Sequence, residues 1–155
     1  MSEILSLLKE FDIGKILPPT EDFIGSLGGW LRLFLVIGPL VLAGLGAWYY
    51  FAPPDEANYA AGYRSKWSMS SVAVWRFAQN LAGKWFMIGG GALALIMLIV
   101  SLFFGAMEPV TMAVTAFICA LVEVVAILGL HVWIEWQLRQ RFDQNGKLIR
   151  RRNSR

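Results

Sequence analysis

Apolar residues fall along this chain in three long runs, with neither the alternation of a strand nor the one-sided stripe of a surface helix. Leu31–Phe51 holds 21 residues and one charge, Arg32, at its edge. Trp85–Phe104 holds twenty residues and no charge, and Val110–Trp133 holds twenty-four, with Glu123 and His131 as its only ionisable side chains apart from Cys119. A hydrocarbon layer about 30 Å thick needs roughly 20 helical residues, and only a helix satisfies its own backbone in lipid without closing into a barrel. The expected fold is an all-α integral membrane protein with three transmembrane helices.

The flanks add shorter elements. Ile4, Leu5, Leu7, Leu8 and Phe11 recur at helical spacing opposite Glu3, Lys9 and Glu10, which predicts an N-terminal amphipathic helix in the membrane interface. Pro18-Pro19 ends it, and Thr20 starts a second short helix that Gly28-Gly29 interrupts before span one. Pro53-Pro54 closes span one. Ser68 or Ser70 then caps a cytoplasmic amphipathic helix, with Val72, Trp75, Ala78, Ala82 and Trp85 on one face, that leads unbroken into span two. The chain thus divides into an interfacial helical segment (1–30), a three-span domain (31–140) with a loop at 52–84, and a basic tail (141–155), where Asn145-Gly146 reads as a helix stop. Gly38-Pro39 loosens span one, and Gly89-Gly90-Gly91 gives span two a smooth face for close helix contact, within the chain or with a partner.

Composition agrees: 57% of the residues are hydrophobic and 16% charged, against about 25% charged in a soluble domain. The single Cys119 excludes a disulfide framework. Charge placement orients the spans. Eleven Lys and Arg lie in the central loop and the tail, against three (Lys9, Lys15, Arg32) on the other side. The N-terminus is therefore expected outside, with loop and C-terminus cytoplasmic. Acidic residues and no basic start argue against a cleaved signal peptide. Arg76, Lys84 and the tail are placed to meet anionic lipid headgroups, and the tail lacks the interleaved aromatics of a nucleic-acid binder. Trp30, Trp48, Tyr49, Tyr50, Trp85, Trp133 and Trp136 sit near span ends, where indole and phenol rings favour the interface.

Chemistry is sparse. Glu123 lies near the middle of span three, where a carboxylate is costly unless paired, hydrated or protonated, so it faces other helices or water. His131, Glu135 and Arg139 follow at four-residue spacing and can meet on one helix face. A lone histidine cannot supply both axial ligands of a haem. No nucleophile elbow, phosphate loop or zinc motif occurs, so no enzyme, metal or cofactor is expected.

The loop is the most patterned segment: Asn58, Gly62-Tyr63-Arg64-Ser65, Ser68-Met69, Trp75, Asn80 and Gly83, then an apolar span. Arg64 offers a planar five-donor fork suited to a lipid phosphate, a carboxylate or an acidic partner. This pattern resembles the SdpI family of bacterial membrane proteins, and specifically its motif-bearing half. The resemblance implies residence in the bacterial inner membrane and a role in immunity to a secreted toxin-like peptide, or in signalling. Asn58, Gly62, Tyr63, Arg64, Ser65, Ser68, Trp75 and Asn80 then become the partner- or lipid-binding residues. Two other functions fit the same sequence. One is an accessory subunit of a larger membrane complex, and the other a small oligomeric transporter or channel using Glu123. A homo-oligomer or association with other membrane subunits suits them all, because three spans bury few side chains among themselves.

Overall fold

A computed structural model of the protein describes residues 20–57 and 60–149. The expected interfacial helix at 3–11, Asn58 and the basic cluster 150–155 lie outside the described residues. Three long helices make up the fold: α1 (Thr20–Phe51), α2 (Val72–Leu102) and α3 (Pro109–Arg141), with a 3₁₀ turn at Phe103–Ala106 joining the last two. Each is long and apolar enough to cross a membrane. The described residues contain no β-strand, only an isolated bridge between Phe142 and Leu148.

Glycine does not break α1. The helix passes through Gly28-Gly29 and Pro39 without interruption, as lipid-embedded helices tolerate. Gly28 serves as a contact point, since a Cβ there would stand 3.2 Å from the Met112 sulfur of α3. Pro39 is fully buried.

Small residues decide how α1 and α2 meet. A Cβ on Gly90 would lie 2.5 Å from the Ala43 nitrogen and 2.8 Å from the Pro39 carbonyl oxygen, and one on Gly83 would lie 2.6 Å from the Tyr50 nitrogen. From the other side, a Cβ on Gly46 would strike the α2 backbone at Phe86–Met87. Gly83 and Gly90 are two turns apart and so share a face, continued by the buried Ala94, Met97 and Ser101. The backbones touch because nothing intervenes, the arrangement that replaces hydrophobic driving force between helices in lipid. The triple glycine is thus largely used inside the chain. Gly90 meets α1, a Cβ on Gly89 would stand 2.9 Å from Leu130 of α3, and only Gly91 faces open space.

Helix α3 is held less closely. Only 11% of its most apolar stretch is buried, against 28% for α2. Its contacts gather at two levels: Met112 and Ala116 with Leu35, Met97 and Phe104 at one end, and Ile134 and Leu138 with Leu42, Val74, Ala78, Ala82 and Phe86 at the other.

That second level carries the loop. Ser71, not Ser68 or Ser70, caps α2: its extended backbone lets Oγ accept from the Val74 amide at 3.3 Å. Val74, Trp75, Ala78, Ala82 and Phe86 are buried, while Val72 is exposed and Trp85 packs edge-on against Trp133 at 4.7 Å. Beyond Arg141 the chain turns back on itself. Asp143 Oδ1 accepts from the amides of Asn145 and Lys147, and Ile149 N donates to the Arg141 carbonyl. Asn145-Gly146 is therefore the tip of a tight turn and not a helix stop. Gly146 has a positive φ of 72°, and its carbonyl accepts from Ser71 Oγ at 3.1 Å, tying this turn to the start of α2.

Candidate partner-binding groove

The loop is fixed to α2 by one amide side chain. Gln79 is fully buried; its Oε1 accepts from the Tyr63 amide at 2.7 Å and its Nε2 donates to the Tyr63 carbonyl at 3.0 Å. Such a two-way grip fixes both the position and the orientation of the loop backbone. Gly62 makes it possible: its φ is 106°, and a Cβ would fall 2.8 Å from the Trp75 ring and 2.9 Å from Gln79 Oε1. Trp75 is buried and donates from its indole nitrogen to the Pro54 carbonyl at 2.8 Å. Ser65 and Ser68 bond reciprocally, each hydroxyl accepting from the other's amide, at 3.0 and 2.8 Å respectively. Trp67 closes the layer, donating to the Phe142 carbonyl at 3.2 Å.

With this backbone held, side chains alternate. Tyr63 points inward and is buried; Arg64 points outward. The Tyr63 ring packs against Phe86 and His131, with centroids 6.0 and 5.7 Å away. Its hydroxyl reaches the His131 carbonyl at 3.4 Å and Glu135 Oε2 at 3.5 Å. Burial, and secondarily the Glu135 carboxylate, push this phenol well above its ordinary range.

Between loop and helix lies a cavity of about 520 Å³. Tyr63, Arg64 and Ser65 form one wall, and His131, Val132, Glu135, Trp136 and Arg139 of α3 form the other. Glu135 and Arg139 pair at 3.8 Å, and the Arg139 guanidinium also lies over the Trp67 ring, 5.2 Å from its centroid. His131 does not join that pair, since its Nδ1 bonds the Ile127 carbonyl at 3.0 Å.

Of the residues singled out in the sequence, Tyr63, Arg64, Ser65, His131, Glu135, Trp136 and Arg139 line the groove. Gly62, Ser68 and Trp75 are buried beneath it and hold its loop wall. Asn80 stands apart: it is exposed on α2 and does not line the groove. The neighbouring Gln79 is the amide that makes buried polar contacts. The signal for Gln79 is its place one turn after Trp75, on the face that buries Ala78 and Ala82, whereas Asn80 is rotated about 100° away. Glu123 is separate as well. It is buried at mid-span opposite Gly38, where a Cβ would stand 3.6 Å from Oε2, and its Oε1 has no hydrogen-bond partner among the described residues.

Three apolar helices of spanning length and a motif loop folded onto their ends define a multi-pass membrane protein. Residues 56–132 match the model of the SdpI/YfhL protein family, and the chain belongs to that family. No curated protein and no solved structure matches the chain.

Proposed function

We propose that this is an SdpI-type membrane protein that binds a peptide or protein partner in the groove between loop 60–71 and α3, giving immunity to a toxin-like peptide or relaying a signal. The observation carrying this reading is the division of the groove's walls. The family pattern supplies Tyr63–Ser65, whose backbone Gln79 grips before any ligand arrives, and α3 supplies His131–Arg139. Such preorganisation lowers the ordering cost of binding. The asymmetry of Lys and Arg supports a cytoplasmic groove and an external N-terminus, and the family supports residence in the bacterial cytoplasmic membrane.

The direct test expresses the chain in cells exposed to a secreted killing peptide. Protection is expected, and Arg64→Ala is expected to abolish it while membrane levels stay unchanged. Full protection by Arg64→Ala would remove the groove from the mechanism. The sparse burial of α3 favours a second reading, an accessory subunit whose α3 docks on other membrane chains. Stoichiometric co-purification with other subunits in mild detergent is its expected signature.

A further inference from the structure

The buried side of α3 is apolar except at its centre. Its buried residues are Met112, Ala116, Glu123, Ile134 and Leu138. Between the two levels at which α3 meets the α1–α2 pair, the one buried side chain is therefore a carboxyl, 9% exposed. Its Oε1 has no hydrogen-bond partner among the described residues, and its Oε2 lies 3.6 Å from where a Cβ on Gly38 of α1 would stand. The next residue, Pro39, has no N–H, so the Leu35 carbonyl lacks its usual helical donor. A helical carbonyl lies beside the residue three positions on, which puts this acceptor at the turn of α1 that Glu123 faces. We propose that Glu123 is an intramembrane proton-binding site, and that the bound proton is donated to the Leu35 carbonyl, latching the middle of α3 to α1.

The proton turns this contact from repulsion into attraction. An ionised carboxylate only accepts hydrogen bonds, whereas the neutral acid has one O–H to give. Without the proton, acceptor faces acceptor; with it, the freed carbonyl gains a donor. Glycine at position 38 lets the carboxyl approach the α1 backbone with no side chain between them. No opposite charge is at hand to serve instead. Leu33–Phe51 of α1 and Trp85–Phe104 of α2 contain no Lys, Arg, His, Asp or Glu, and the nearest ionisable neighbour on α3 is Cys119, one turn earlier. Arg32 is turned to the end of the bundle, its Nη2 lying 3.3 Å from where a Cβ on Gly105 would stand. A carboxylate left unpaired at this depth is costly. A metal cation is the other ligand a buried carboxylate can hold, but it needs a shell of several oxygens. This turn supplies the carboxyl and one freed carbonyl. The site is remote from the groove and does not depend on what the groove binds.

The test is the infrared spectrum of the full chain in dioleoyl phosphatidylcholine vesicles at neutral pH. Subtracting the spectrum of Glu123→Gln isolates the carbonyl stretch of a protonated Glu123, which lies clear of the bands of ionised carboxylates. Such a band is expected in the parent. Isotopically heavy carbon in the glutamate side chains should shift it, which assigns it to glutamate without any substitution. In deuterated water it should move to lower frequency, because the site exchanges its proton with the aqueous phase. Pro39→Ala returns an N–H to the Leu35 carbonyl and so competes with Glu123 for it. The band should then move to higher frequency, the direction of a weakened hydrogen bond. Alanine suits a helix interior better than proline, so the helix itself is not at risk. Absence of the band would overturn the proton site, and so would a band that deuterated water leaves in place. A band unmoved in Pro39→Ala would overturn the latch to Leu35.

Discussion

Replacing Gln79 with leucine removes the grip on the loop while nearly preserving side-chain volume. The Tyr63 amide loses its 2.7 Å acceptor in a buried setting, which costs about 1–3 kcal/mol. The Tyr63 carbonyl loses Gln79 but keeps the Ser68 hydroxyl at 3.1 Å, so its share is smaller, on the order of 1 kcal/mol. A combined loss of about 2–4 kcal/mol multiplies the population with the loop detached by roughly 30- to 800-fold. Hydrogen exchange, followed by mass spectrometry in detergent on peptides covering residues 60–71, reads this directly. The Tyr63 amide should exchange faster by that factor in Gln79→Leu, with the centres of α1 and α2 unchanged. Asn80→Ala, one residue away but exposed, should stay within about 0.5 kcal/mol of the parent. Unchanged exchange in Gln79→Leu, or an equal effect in Asn80→Ala, would refute the claim that one buried amide holds the loop.

Two further outcomes follow from the packing. Gly90→Val should lower thermal stability in detergent by about 1–3 kcal/mol or more, because its Cβ meets α1 backbone that cannot rotate aside. Gly91→Val, facing open space, should not. For Tyr63, the raised phenol gives a pH signature with a definite sign: the folded protein keeps a proton that the unfolded chain releases near 10.0. Its stabilising contribution is complete below about pH 10 and is lost as pH rises further. Thermal unfolding from about pH 9 to 11.5 should therefore decline more steeply for the parent than for Tyr63→Phe.

The spans were legible because lipid imposes a length and composition that no other environment requires. The glycine contacts were legible as a tendency, but their partners were not. Whether Gly90 meets α1 or another chain depends on helix rotation, which a uniformly apolar run leaves unspecified. The start of α2 lies one to three residues beyond the expected caps because Ser68, Ser70 and Ser71 all carry a capping hydroxyl, and the contact with Gly146 lies 75 residues away. Asn80 took precedence over Gln79 since neighbouring amides look equivalent until burial separates them. The groove itself was invisible, as its walls are 66 or more residues apart along the chain and only tertiary packing joins them.

Helix α3 touches the α1–α2 pair mainly at its two ends, and one of those ends is also a wall of the groove. Whatever occupies the groove therefore grips both the loop attached to α2 and the end of α3. Occupancy becomes a form of mortar between a preassembled helical hairpin and its third member. By mass action, a ligand at a hundred times its dissociation constant would strengthen that union by about 2.7 kcal/mol. The last step of assembly and the first step of recognition would then share one equilibrium, so a cell could set how firmly this bundle is closed through what it supplies at the membrane surface.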